Sequence, residues 1–121
     1  MLRLALPLLA AMCCCAALAA PTPAPVRAEI DALLDRLQNS GCQFRRNGSW
    51  YSATQARTHL LRKLEYVEGR STLKSTEQFI EVVASGSSES GKPYEVKCAG
   101  REALPSREWL SKELTFIRLT R

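Results

Sequence analysis

Two parts of the chain carry residue types capable of proton-transfer or covalent chemistry. One is the single histidine, His59; the other is the run Gly86-Ser87-Ser88-Glu89-Ser90-Gly91-Lys92-Pro93. A serine nucleophile needs a base within hydrogen-bond reach and a carboxylate to orient that base. Ser87, Ser88 and Ser90 supply hydroxyls and His59 an imidazole, but nothing in the spacing selects Glu81, Glu89 or Glu95 as the orienting group. The Gly-x-Ser-x-Gly turn of many hydrolases is incomplete, because its second glycine falls on Ser90. Ser71-x-x-Lys74 matches a Ser-Lys pattern no better than chance. A serine-rich loop more often uses its hydroxyls to satisfy nearby backbone groups. His59 has an equally plain reading, as a boundary residue whose ring tip bonds a neighbouring strand or loop.

The same loop nearly matches a phosphate-binding P-loop, and fails on two counts. The position after the lysine, which should hold a magnesium-binding hydroxyl, is Pro93. The loop is also predicted to follow a helix and precede a strand, the reverse of the order that points a helix N-terminus at the phosphates. A basic group, Arg45, Arg46, Arg57, Arg62 and Lys63, falls where a hairpin should meet a helix. It reads either as a solvated rim or as a site for an anionic ligand.

The elements that must hold these residues follow from periodicity. Val26, Ile30, Leu33, Leu34 and Leu37 recur at helical spacing, and Asn39-Ser40-Gly41 ends that helix. Cys42 to Arg45 alternates like a strand, Asn47-Gly48 is a strong hairpin turn, and Trp50-Tyr51 is the return strand. Ser52 with Gln55 forms a capping box opening a second helix, with Ala53, Ala56, Leu60, Leu64 and Val67 on one face. His59 lies at the edge of that face, near Lys63 and Tyr66. Ser75 with Gln78 repeats the box before a shorter helix with Phe79, Ile80, Val83 and Ala84. Tyr94 to Cys98 alternates as a strand whose Tyr94, Val96 and Cys98 face the core. That predicts a buried Tyr94 ring, its hydroxyl at the rim and the loop serines exposed around it. Residues 100–105 turn the chain, and Ser106 caps a last helix carrying Trp109, Leu110, Leu114 and Ile117. The fold class is α+β: a small antiparallel sheet, the hairpin plus one later strand, covered by about four helices.

Residues 1–19 read as a secretory signal peptide: Arg3, an apolar run to Leu18, and a small-x-small cleavage signal at Ala17-Leu18-Ala19. Cleavage near Ala19 or Ala20 leaves a Pro/Ala-rich leader, 20–25, and one globular domain, 26–121. The protein is then periplasmic or secreted, with no stable membrane anchor. Cys13, Cys14 and Cys15 leave with the signal. Ala10-Ala11-Met12 lacks the leucine that a lipoprotein signal places before its modified cysteine, so lipidation is not expected. Cys42 and Cys98 remain, and in an oxidising compartment they form one disulfide. His59 alone completes no metal site, and no cofactor is expected. The net charge of +5 falls by one with Arg3, too little for a nucleic-acid binder but enough for weak attraction to an anionic envelope component.

Several runs together are familiar. Asn39-Ser40-Gly41-Cys42, the Arg46-Asn47-Gly48 turn, Ala56-x-x-His59-Leu60, Thr76-Glu77-x-Phe79-Ile80-Glu81, the loop through Ser90-Gly91-Lys92-Pro93-Tyr94, and Trp109-Leu110 follow one another in order. They resemble a family of small exported proteobacterial proteins of unknown function that includes YfeK. The resemblance implies an exported domain and no activity. A shorter run, Ser90-Gly91-Lys92-Pro93-Tyr94, is similar to the Ser-Gly-x-x-Tyr loop of some periplasmic lysozyme inhibitors. Those are β-barrels, and a basic inhibitor loses electrostatic steering toward a basic enzyme.

The leading expectation is therefore a non-enzymatic binding module for a protein or an anionic envelope component. Its candidate surface is Arg45, Arg46, His59, Lys63, Ser87, Ser88, Ser90 and Tyr94. The alternatives are a small hydrolase using a loop serine with His59, and a lysozyme-inhibitor-like protein.

Overall fold

Ile30, Leu33, Leu34 and Leu37, predicted to share a helix face, are each no more than 1% exposed. They belong to α1 (Ala24–Gln38), the helix on which the others assemble. The computed structural model describes residues 3–8 and 19–121. The remaining elements are β1 (Gln43–Arg46), β2 (Ser49–Ser52), α2 (Ala53–Glu68), α3 (Thr76–Val82), β3 (Glu95–Lys97), β4 (Leu104–Pro105) and α4 (Ser106–Leu119). α1 packs against α2, α3 and α4, while α2 and α4 also pack against the sheet. The core joins the α1 face to Leu60 and Leu64 of α2, Phe79 and Ile80 of α3, Leu110 and Leu114 of α4, and Phe44 and Val96 of the sheet. Each such leucine taken from water contributes about 2 kcal/mol.

The α+β class holds, and the sheet is antiparallel throughout, in the order β2-β1-β3-β4. Asn47 (φ 49°) and Gly48 (φ 83°) are both left-handed, as a two-residue hairpin turn requires. The turn fixes Phe44 opposite Tyr51 and Arg45 opposite Trp50. β3 lies on the other side of β1, with Gln43 opposite Lys97, so Cys42 and Cys98 meet just beyond that pair. They form the expected disulfide, with Cα atoms 4.2 Å apart.

Four local expectations change. The stretch read as a turn, residues 100–105, contains the short strand β4, which pairs Leu104 with Val96. Ser106 is the first residue of α4 rather than its cap. It is fully buried, its N–H donates to the Tyr94 carbonyl at 2.8 Å, and its hydroxyl donates to the Ala84 carbonyl beyond the end of α3. Ser75 caps α3, but Gln78 turns its amide oxygen to the Lys74 N–H, so the second box is not reciprocal. Finally, α1 begins at Ala24, inside the predicted leader. Pro25 is tolerated in the first turn, where no intrahelical N–H bond is lost. Ala20 and Thr22 are tied down as well. Thr72 donates to the Ala20 carbonyl at 2.9 Å, and Thr22 donates to Glu68 at 2.7 Å. Most of the predicted signal peptide, residues 1–2 and 9–18 with Cys13, Cys14 and Cys15, lies outside the described residues.

A carboxylate locks the C-terminal helix. Glu29 of α1 is 8% exposed and accepts from Arg118 at 2.8 and 3.2 Å, with Arg121 also on it. The hydrogen bonds from Arg118 outweigh burial and hold the Glu29 carboxyl at about 2, below its ordinary 4.5.

Candidate functional site

The hairpin register sorts its side chains by face. Phe44, Arg46 and Tyr51 point inward, and Arg45 and Trp50 point outward. The reciprocal Ser52–Gln55 box then starts α2 directly after β2, so the helix crosses the inner face of the hairpin. Its N–H bond to Gln55 also occupies the Ser52 amide at the end of the sheet's edge strand. Gln55, His59 and Arg62 recur at three- and four-residue spacing on one stripe of α2. Between that stripe and the hairpin lies a groove of about 350 Å³. Phe44 and Ala56 close its floor and Tyr51 gives it apolar surface; Arg46, His59, Arg62, Gln55, Thr54 and Thr58 give it polar groups. Among the described residues, no aspartate or glutamate lines it.

Arg46 and His59 are bonded to each other. The Arg46 Nη1 lies 3.0 Å from His59 Nδ1, and a guanidinium only donates, so Nδ1 is the acceptor. That places the ring proton on Nε2, which donates to the Tyr94 hydroxyl at 3.1 Å. Lys63 approaches the same hydroxyl at 3.4 Å and donates to the Gly86 carbonyl at 2.6 Å. The guanidinium of Arg46 also sits over the Tyr51 ring, 5.2 Å from its centroid. Burial, then the charges of Arg46, Lys63 and Arg62, push the His59 pKa down to about 4. His59 is thus neutral at neutral pH, as an acceptor for Arg46 must be. Burial also lowers Lys63 and raises the Tyr94 phenol.

The predicted surface residues divide. Arg46 and His59 meet in the groove. Arg45 lies on the opposite face of the sheet, beside Glu95 at 3.6 Å and over Trp50. Lys63 is spent on the loop carbonyl. Ser87, expected at the surface, is 8% exposed, and its hydroxyl accepts from the N–H groups of Glu89 and Ser90. The reason is the turn itself: the Ser87 and Gly91 amides close it, and Gly86 approaches Lys92 so closely that an added Cβ would meet its carbonyl at 3.1 Å. Ser88 is exposed. Ser90 is also exposed and donates to Asn47 at 2.6 Å, joining this loop to the hairpin turn. Tyr94 is 1% exposed, its ring 5.0 Å from Phe44, as the alternation predicted. Both nitrogens of His59 are engaged by Arg46 and Tyr94, not by a serine.

Arg57, the other helix cation of the basic group, turns away to Asp35 at 3.1 Å on α1. Among the described residues, neither Arg46 nor Arg62 has a carboxylate partner. A larger cavity, about 620 Å³, lies beside the disulfide. Its walls pair Arg36 with Glu113 and also hold Asp35 and Arg101, so its charge is largely neutralised internally.

Residues 24–118 match the sequence pattern of the family of unknown function DUF5329. The chain belongs to that family. The DUF5329 chain is also 43% identical over 68 residues to the uncharacterized protein YfeK of Salmonella typhimurium strain LT2. That match spans 55% of this chain and 55% of YfeK. The resemblance read from the sequence runs is therefore confirmed. No solved structure matches the DUF5329 chain.

Sequence reading of the DUF5329 chain placed Arg62 in the basic group but missed Tyr51 and Gln55 as groove residues. The available signal was the hairpin register, which sets Tyr51 opposite Phe44 on the inner face. The linked groups also make a pH prediction. Because folding depresses the His59 pKa from 6.5 to about 4, the unfolded chain takes the proton first. Stability therefore falls as pH drops through that window, by at most about 3 kcal/mol. Glu29 follows the acid rule: its contribution is present above 4.5 and is lost as pH falls toward 2. Thermal melts should decline below pH 6.5 and again below 4.5. Glu29→Gln should flatten only the lower part; a flat profile from pH 7 to 4 in the parent would contradict the His59 assignment.

Proposed function

We propose that this chain is an exported, non-enzymatic binding module that takes an anionic group of a protein or envelope component in the groove between the hairpin and α2. One observation carries the reading: Arg46 and Arg62 line a concave wall that, among the described residues, contains no carboxylate. A half-buried Arg46 and an exposed Arg62, neither with a carboxylate partner among the described residues, are suited to an anion from outside. Export is supported by the Arg3-to-Ala19 pattern and by the Cys42–Cys98 bond, which suits an oxidising compartment. Among the described residues, no helix is long and apolar enough to cross a membrane.

The hydrolase alternative is less well supported. A triad histidine is oriented by a carboxylate and faces its serine; His59 instead bonds a guanidinium and a phenol. The lysozyme-inhibitor alternative needs the Ser90-to-Tyr94 loop to enter a cleft, whereas Tyr94 is in the core.

Calorimetric titration at low ionic strength tests the reading, using acetate, hexanoate and inorganic phosphate with neutral hexanamide as control. At least one anion should bind saturably, hexanamide should not, and an Arg46→Gln/Arg62→Gln double variant with an unchanged circular dichroism spectrum should lose the binding. Anion binding that survives both substitutions would overturn it, as would ester hydrolysis that disappears in His59→Ala.

A further inference from the structure

Resting on that reading, we infer that the groove is built for a carboxylate carried on an apolar stem, with Arg46 as the contact residue and His59 as the positioning residue. The argument starts from what holds Arg46. Its Nη1 donates to His59 Nδ1, and its Cζ sits over the Tyr51 ring, 5.2 Å from the centroid. These two contacts hold the guanidinium in place before any ligand arrives, and leave the side-on pair, Nε–H and Nη2–H, without a partner among the described residues. Two coplanar donors match the two coplanar oxygens of a carboxylate. The neutral state of His59 matters here, because an imidazolium has no lone pair to accept from Nη1.

The rest of the wall selects the stem. Phe44 and Ala56, each 1% exposed, close the floor of the groove, and the half-buried Tyr51 ring gives it an apolar strip beside Arg46. A small, fully hydrated anion leaves that strip uncovered, whereas an alkyl or aryl group lies against it and gains affinity with each methylene buried. A phosphate would turn a third charged oxygen toward the same apolar strip, where it has no partner unless Arg62 reaches it. The chemistry thus favours a carboxylate-bearing amphiphile with an acyl chain.

Calorimetry on the intact protein with hexanoate, acetate, hexyl phosphate and inorganic phosphate separates these possibilities. Hexanoate should bind about ten-fold more tightly than acetate or inorganic phosphate, and more tightly than hexyl phosphate. Arg46→Lys, which keeps the charge and loses the fork, should weaken hexanoate about ten-fold. His59→Leu should weaken it comparably, while His59→Gln, whose amide oxygen still accepts from Nη1, should keep most of the affinity. A merely structural His59 would instead change melting temperature in both variants and affinity in neither. If acetate and hexanoate bind equally well and still depend on Arg46 and Arg62, the stem inference fails and the anion reading stands. If hexyl phosphate is preferred, the carboxylate assignment fails. Full affinity in Arg46→Lys would overturn the oriented-fork argument, and no binding by any anion would overturn both readings.

Discussion

Replacing both disulfide cysteines, as Cys42→Ala/Cys98→Ala, is expected to cost about 4 kcal/mol of stability. The bond joins positions 56 residues apart, and the loop it closes holds β1, β2, α2, α3 and β3. Without it, the unfolded chain regains the entropy of a long open loop, while the native strands still pair through Gln43 and Lys97. A loss of that size corresponds to a fall of roughly 15–30 °C in melting temperature for a domain of this length. Equilibrium urea unfolding of the oxidised parent and the double variant measures it. The groove lies on the hairpin and α2, away from the bond, so the folded double variant should still bind hexanoate below its melting point. A stability difference under 1 kcal/mol would show that the bond ties together strand ends the sheet already fixes.

Tyr94→Ala should cost about 4 kcal/mol, because it removes a fully buried ring and opens a cavity against Phe44. The hydroxyl adds a second, separable effect. Expected at the rim, it has two partners, His59 at 3.1 Å and Lys63 at 3.4 Å. Tyr94→Phe keeps the ring and leaves the Nε2–H of His59 without its acceptor in a half-buried place. It should cost about 1–2 kcal/mol rather than the smaller loss of a single exposed bond. It should also weaken hexanoate modestly, since His59 is then freer to turn away from Arg46. Urea unfolding of both variants checks this. An unchanged midpoint in Tyr94→Ala would contradict the packing of the ring, and an unchanged midpoint in Tyr94→Phe would contradict the hydroxyl's two bonds.

The parts of this fold that were legible in the sequence are those whose chemistry is local. Asn47-Gly48 dictates a left-handed two-residue turn, Ser52 and Gln55 satisfy each other's backbone, and the spacing of Ile30, Leu33, Leu34 and Leu37 defines a face. The alternation Tyr94, Val96, Cys98 even gave the direction of the Tyr94 ring. What escaped depends on contacts between distant segments. β4 is two residues long, has no alternation to read, and exists because Leu104 finds Val96. Ser106 looks like a cap until α3 presents the Ala84 carbonyl to it. Ser87 looks like a surface serine until its turn folds over its hydroxyl.

The site divides in the same way. His59 was legible as a boundary residue, and Arg46 as one of several cations at the hairpin. Their pairing was not, because it needs the hairpin register and the crossing of α2 together. Five basic residues of similar appearance have different roles once packed. Arg57 and Arg45 find acids, Lys63 finds a carbonyl, and Arg46 and Arg62 are left facing a groove.

The most direct test of this account is a chemical-shift titration of the isotope-labelled protein with hexanoate at neutral pH. The perturbations should saturate and concentrate at Arg46, Tyr51, Gln55, His59 and Arg62, with the His59 ring remaining neutral and accepting at Nδ1. Perturbations confined to the Ser85–Pro93 loop, or to Arg36 and Arg101 beside the disulfide, would place the ligand elsewhere and contradict it.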